Sequence, residues 1–363
     1  MRKKRLILLM AAILIVTAGF ATAVGTLTLP QAIQMAQSEN PDAERSDLVV
    51  RRAELGYDQV QSAVYDLQNI YNQTGSLPLN EFKMLHLGPL EAEQALVLAQ
   101  QARKMTQNRL ALEAWQSYIG LLKARKNLRL AEMSLDRARE MKRLAEAALE
   151  AGTVAKSDVL GAEAQVAQEE ARLYAAENTA NTAELTLNMT TGRQLLLPAD
   201  VSEVELPTIG EVHLQDGLTQ ALANRLEIID ARGKLFLKEK AFNLAKSYFQ
   251  DQDIFYREAE LELAEARLNM DETEQNIRFQ VHQLHNSFLV LEKQLAALEQ
   301  SVTYAAESYR LASLRYEAGI GTQVDVLTAR VTLSELESQL LNAKYDHYLT
   351  YLQWLLAIGR AVE

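Results

Sequence analysis

Apolar side chains recur at alternating spacings of three and four along Leu121, Ala124, Leu128, Ala131, Leu135 and Ala138, with Ala145 one heptad further. The same series returns 167 residues later as Phe288, Leu291, Leu295, Leu298, Val302, Ala305 and Ala312. A 3-4-3-4 period is the seam of a coiled coil, because it keeps one stripe of a helix facing a partner. Each series runs into a glycine turn, EAGTVAKSDVL at Glu150–Leu160 and EAGIGTQVDVL at Glu317–Leu327. Beyond the turns a second seam begins, Val159, Ala162, Val166, Leu173 and Ala176 in one copy and Val326, Ala329, Leu333, Leu340 and Ala343 in the other. The pattern is an internal repeat in which each turn folds one helix back on another.

The six prolines leave Leu90–Leu197 and Thr208–Glu363 free, so helices can run long there. The spacing predicts helices over Leu90–Leu149 and Phe255–Ala318, about 90 and 95 Å long. Return helices follow over Asp158–Met189 and Asp325–Ile358, and an opening helix over Gln31–Leu67, disturbed near Pro41. The return helices reach only half way along the long ones. The opening helices are therefore expected to stack end to end on them. The second half opens at Leu214, where the offset becomes 185, so the first half carries 18 extra residues. Asn72–Pro89, with two prolines, two glycines and no helical period, is the expected place. Thr190–Leu214 reads as irregular or short extended structure, and Gly192 and Gly359 as left-handed caps. The expected organisation is a leader over 1–23, a first repeat over 24–193, a linker over 194–213 and a second repeat over 214–363.

Arg2, Lys3, Lys4 and Arg5 precede an apolar run, Leu6–Phe20, that ends in Ala21-Thr22-Ala23, the pattern of a cleaved secretory signal. The predicted mature chain starts at Val24, and no later segment is apolar long enough to cross a bilayer as a helix. Loss of the four basic leader residues takes the formal net charge from −11 to −15. An acidic chain of this kind argues against nucleic acid and anionic lipid as partners. With no cysteine, disulfides and thiolate metal sites are excluded. His282 and His285 are three apart on a helix but lack a third ligand at recognisable spacing, so no metal is expected. Trp115 and Trp354 read as core or protomer contacts. No nucleophile motif or phosphate loop is present, so neither catalysis nor a cofactor is expected.

Duplicated halves, long helices with half-length partners, a waist, and RYEAGIGTQVDVLTARVTL at Arg315–Leu333 together resemble the TolC family of outer-membrane efflux ducts. The resemblance implies a mainly all-α fold: a long antiparallel coiled-coil protomer of an α-helical tunnel, with two structural repeats and a small mixed equatorial region. It implies a homotrimer that serves tripartite efflux or type I secretion with a periplasmic adaptor (membrane fusion protein) and an inner-membrane transporter. The family's tunnel continues into a membrane β-barrel, to which each half gives a hairpin. Here neither loop has the length or alternation for one, so no barrel is expected, which leaves a tunnel docked under a separate outer-membrane barrel protein, one ending in a cell wall, or a leader retained as an anchor.

By the same resemblance, the tip that meets the adaptor comprises Gly152, Thr153 and Val154 in one turn and Gly319, Ile320, Gly321 and Thr322 in the other. Asp158, Tyr316 and Asp325 fall at positions associated with the constriction. Gly321 stands where well-known members carry a gating arginine, and Thr328 where they carry a second aspartate. The resemblance does not extend to a gate held by that arginine. Thr322-x-x-Asp325 also reads as a helix cap, as does Asp158 after Ser157. The competing expectation is a non-conducting extracytoplasmic structural rod or adaptor on the same frame, which oligomeric state separates from a duct.

Overall fold

The structure is a computed structural model that describes residues 26–362; the leader and Val24 lie outside them. Among the described residues the first half comprises α1 (Leu29–Glu39), α2 (Pro41–Thr74), α3 (Leu79–Glu150) and α4 (Lys156–Thr190). The second half repeats the order with α5 (Leu214–Asn224), α6 (Leu226–Tyr248), α7 (Ile254–Glu317) and α8 (Gln323–Ala357). At 1.5 Å per residue α3 is about 108 Å long and α7 about 96 Å. The short helices α2 and α4 share α3 between them, and α6 and α8 share α7.

The joints between short helices explain how two rods act as one. At the first joint the Asn40 side chain accepts from the Asp42 N–H at 2.9 Å, capping α2 in front of Pro41, and donates to the Thr190 carbonyl at 2.9 Å. Gly192 closes α4 against the same joint, where an added Cβ would stand 2.6 Å from the Glu39 carbonyl oxygen. The second half repeats this, with Gly359 pressed on Asn224.

The core is deepest at the waist. Tyr118 is fully buried, and its hydroxyl donates to one of two carbonyl acceptors, Leu27 at 2.8 Å or Ser202 at 2.9 Å. It thereby pins the one parallel bridge among the described residues, Leu27 to Val201. Around it Leu121, Leu187, Trp115, Tyr345, Tyr348 and Leu352 pack from α3, α4 and α8. Each such aliphatic side chain contributes about 1.5–3 kcal/mol on burial. Trp354 is buried in a second cluster with Ile228, Ile277 and Val281. Both tryptophans are therefore core residues.

Two expectations are corrected. Asn72–Pro89 is not irregular throughout: only Gly75–Pro78 is, and α3 starts at Leu79 with Pro89 inside it. Tertiary burial overrides the proline there, because Phe82 stacks edge-on against Tyr248 at 5.0 Å and Lys83 Nζ lies 3.9 Å over the Phe255 ring. The second half's opening helix is also broken, at Arg225, without proline or glycine to announce it. The opposite ends of α2–α3 and α6–α7 are joined by segments of four and five residues, and no strand ladder occurs among the described residues.

Candidate functional site: the glycine turns and the open face

Both turns are built alike. α3 ends as Gly152 takes φ +72°, with the Gly152 N–H donating to Leu149 at 2.9 Å and the Thr153 N–H to Ala148 at 2.9 Å. α7 ends as Gly319 takes φ +73°, with the Gly319 N–H donating to Tyr316 at 3.0 Å and the Ile320 N–H to Arg315 at 2.9 Å. This paired bonding satisfies carbonyls that the helix leaves free, and only glycine enters the left-handed region cheaply.

Each return helix then starts with an aspartate turned back on its own N-terminus. Asp325 Oδ2 accepts from the Thr322 N–H at 3.0 Å and hydroxyl at 2.7 Å, while the Thr322 hydroxyl oxygen lies 3.2 Å from the Asp325 N–H. Those bonds from Thr322, with the charge of Arg315 as a lesser cause, hold the Asp325 carboxyl below the usual aspartate range. Asp158 makes half of this arrangement, accepting from the Ala155 N–H at 3.0 Å. The cap of α4 is thus Ala155 and not Ser157.

Tyr316 and Ile320 are exposed beside Arg315, and an open groove between α7 and α8 is lined there by Arg315, Ile320, Gly321, Asp325 and Thr328. A Cβ at Gly321 would meet Arg315 Cβ at 3.0 Å and Tyr316 N at 3.1 Å, so a larger residue would displace the turn by a few tenths of an ångström. Val154 is half-buried between the α3 and α4 ends. Among the described residues no hydrogen bond or ion pair joins one turn to the other. His282 is exposed and His285 lies against Trp354, and no group of metal-ligating side chains forms among the described residues.

Sequence reasoning missed the largest feature. Along α7, Ile254, Leu261, Leu268, Phe279, Val290 and Tyr304 are 65–77% exposed. They form one stripe, because spacings of 7, 11 and 14 return to the same helix face. The corresponding face of α3 is covered within the chain by α8 and α6. Leu112, the counterpart of Phe279, is 7% exposed, against 69% for Phe279 itself. On α4, Met189 is exposed whereas its counterpart Leu356 packs on the waist core. Only knowing which helix faces are already covered could have revealed this.

A model of the outer membrane efflux protein family matches residues 74–193 and 255–360, more than half of the chain. The chain belongs to the outer membrane efflux protein family. Within that family's fold it is similar to a membrane protein from Pseudomonas aeruginosa, at TM-score 0.71 and 15% identity over 92% of this chain and 90% of that one. It is also similar to the outer membrane protein VceC from Vibrio cholerae, at TM-score 0.69 and 15% identity over 92% and 97%. The Campylobacter jejuni CmeC outer membrane channel follows at TM-score 0.64 and 14% identity over 91% and 85%. At such identities these likenesses show the fold, a tunnel protomer with two helical repeats. No curated protein sequence matches the chain.

Proposed function

We propose that the chain is the exit duct of a tripartite efflux or type I secretion system, a closed trimer whose glycine turns meet a periplasmic adaptor and inner-membrane transporter. The observation that carries this reading is the open face of α7. In the chain, α3 is covered by α8 and α6. By the internal repeat, α7 needs the equivalents of those helices, α4 and α2, and its own copies are already committed to α3. The next copy supplies them. Such a head-to-tail contact closes into a ring when its rotation divides the circle, and a family trimer corresponds to six repeats in the ring. Asp158 and Asp325 then recur three times each around the tip, Tyr316 beside them, as the constriction. The adaptor meets the turn residues, Thr153, Ile320 and Thr322 exposed and Val154 and Gly321 half-buried beside them.

The duct is exported and works in the envelope without a barrel of its own. Its far end is made of short turns at Gly75–Pro78 and around Asp251, too short for membrane-spanning hairpins of more than about 20 residues. A separate outer-membrane or cell-wall partner receives that end. The chemistry of the site is passage and docking, with no catalytic step.

The cysteine-free sequence permits a clean test. The in-chain seam pairs Lys123 with Asp346 and Asn127 with Ser338, and continuing that antiparallel register brings Leu112 level with Leu356, so the repeat brings Phe279 of one copy level with Met189 of the next. A chain carrying Phe279→Cys and Met189→Cys should oxidise to a covalent three-chain species. Monomers alone, or an unbounded ladder, would refute the ring.

A further inference from the structure

Resting on the closed-ring reading, we propose that the copy-to-copy seam is keyed by charge in the half furthest from the glycine turns, Arg52 and Arg45 of α2 facing Glu258 and Glu265 of the next copy's α7. On α7 the exposed residues Ile254, Leu261 and Leu268 repeat every seven, and Glu258, Glu265 and Glu272 each follow four later. On α2 the exposed residues Leu48 and Leu55 are also seven apart, with Arg52 four after Leu48 and Arg45 three before it. Both helices thus present an apolar stripe flanked on one side by charge, basic on α2 and acidic on α7.

The chain contains a template for the register. On the covered seam Gln94 Nε2 donates to the Ile229 carbonyl at 3.4 Å and crowds Gly233, so that a Cβ there would overlap its amide. Shifting α3 by 167 and α6 by 185 puts Leu261 of one copy beside Leu48 of the next. The same antiparallel register sets Ile254 beside Leu55, Glu258 beside Arg52 and Glu265 beside Arg45. In an antiparallel pair, positions four after each seam residue lie on the same side, which is where such charges select partner and orientation. Among the described residues Arg52, Glu258 and Glu265 make no ion pair, and Arg45 holds only the neighbouring Asp42, at 3.1 Å, on an exposed surface.

The key is not inherited from the repeat. On the covered seam Arg52 corresponds to Leu237 and Glu265 to Leu98, while Glu258 and Arg45 correspond to Glu91 and Asp230, so each carboxylate there faces a leucine and neither opposite-charge pair is present. Matched opposite charges therefore stand only where separate chains would meet, and they select a second copy of this chain over other helical surfaces.

The test is charge reversal, read by sedimentation of the mature chain at low salt, with far-ultraviolet circular dichroism to verify helicity. R45E/R52E should shift the monomer–trimer midpoint at least tenfold upward in concentration, and E258R/E265R should do the same. The fourfold swap R45E/R52E/E258R/E265R should restore assembly. Mixing the two single-sided variants should not give closed rings, because three seams shared between two kinds of chain always leave one like-charged junction. The milder R45Q/R52Q should assemble with a weaker salt dependence. Single-sided variants that assemble like the unmodified chain, or a fourfold swap that stays dissociated at unchanged helicity, would overturn the key while leaving the ring intact. An unmodified chain that never forms a trimer would overturn the ring itself.

Discussion

The covered face of the first long helix and the open face of the second descend from one repeat and are built from different materials. Inside the chain α3 meets α8 through polar links, Lys123 to Asp346 at 2.5 Å and Ser338 to Asn127 at 3.3 Å, as well as through the waist core. At the equivalent places the open seam offers Val290 with Thr179 and Gln294 with Ala171. The difference follows from how the partners meet. A tethered helix is already at high effective concentration, so a seam with polar links beside its core suffices. A contact between separate chains must also offset lost translational and rotational freedom, which favours the apolar stripe of α7, with the charges of its far half selecting partner and register. Exposed apolar residues on α7 thus form one stripe, not scattered surface hydrophobics, as the closed-ring reading requires.

The largest effect is expected from damaging the covered core and the open face in turn. Leu352→Ala, at a site 1% exposed in the waist core, should cost the monomer about 2–5 kcal/mol in denaturant unfolding. Phe279→Ala on the open face should change monomer stability by less than about 0.5 kcal/mol yet weaken assembly. If Phe279→Ala destabilises the monomer as much as Leu352→Ala, α7 is not open.

A smaller effect separates the two turns. Asp325 has a depressed pKa, so its contribution is present above the unfolded aspartate value and lost as pH falls through the folded one. The melting-temperature difference between the unmodified chain and Asp325→Asn should therefore shrink below about pH 4. A difference that stays constant from neutral pH to pH 3 would show that the cap contributes through neutral hydrogen bonds alone.

The repeats, hairpins and turn glycines were legible because periodicity and glycine report local backbone demands, and Gly152 and Gly319 meet those demands directly. What failed did so for tertiary reasons. The helical start at Leu79 depends on Phe82 reaching Tyr248, a partner 166 residues away. The break at Arg225 is fixed by its neighbours on α7 and α8, including Gln280 at 2.7 Å and the close approach of Gly359 to Asn224. Asp158 was legible as a cap, but its true partner, the Ala155 N–H, was hidden because a backbone donor has no sequence signature. Glu169, 1% exposed and bonded to Gln165 and Arg172, shows that the seam tolerates a carboxylate the heptad pattern would exclude.

The most direct measurement is the mass of the mature chain in solution by sedimentation equilibrium, compared with that of Phe279→Asp. A covered α3 and an uncovered α7 predict three chain masses for the first and one for the second, at the same helical content. A single chain mass for both at high concentration, or assembly that Phe279→Asp leaves untouched, would contradict the claim that α7 is completed by a second copy.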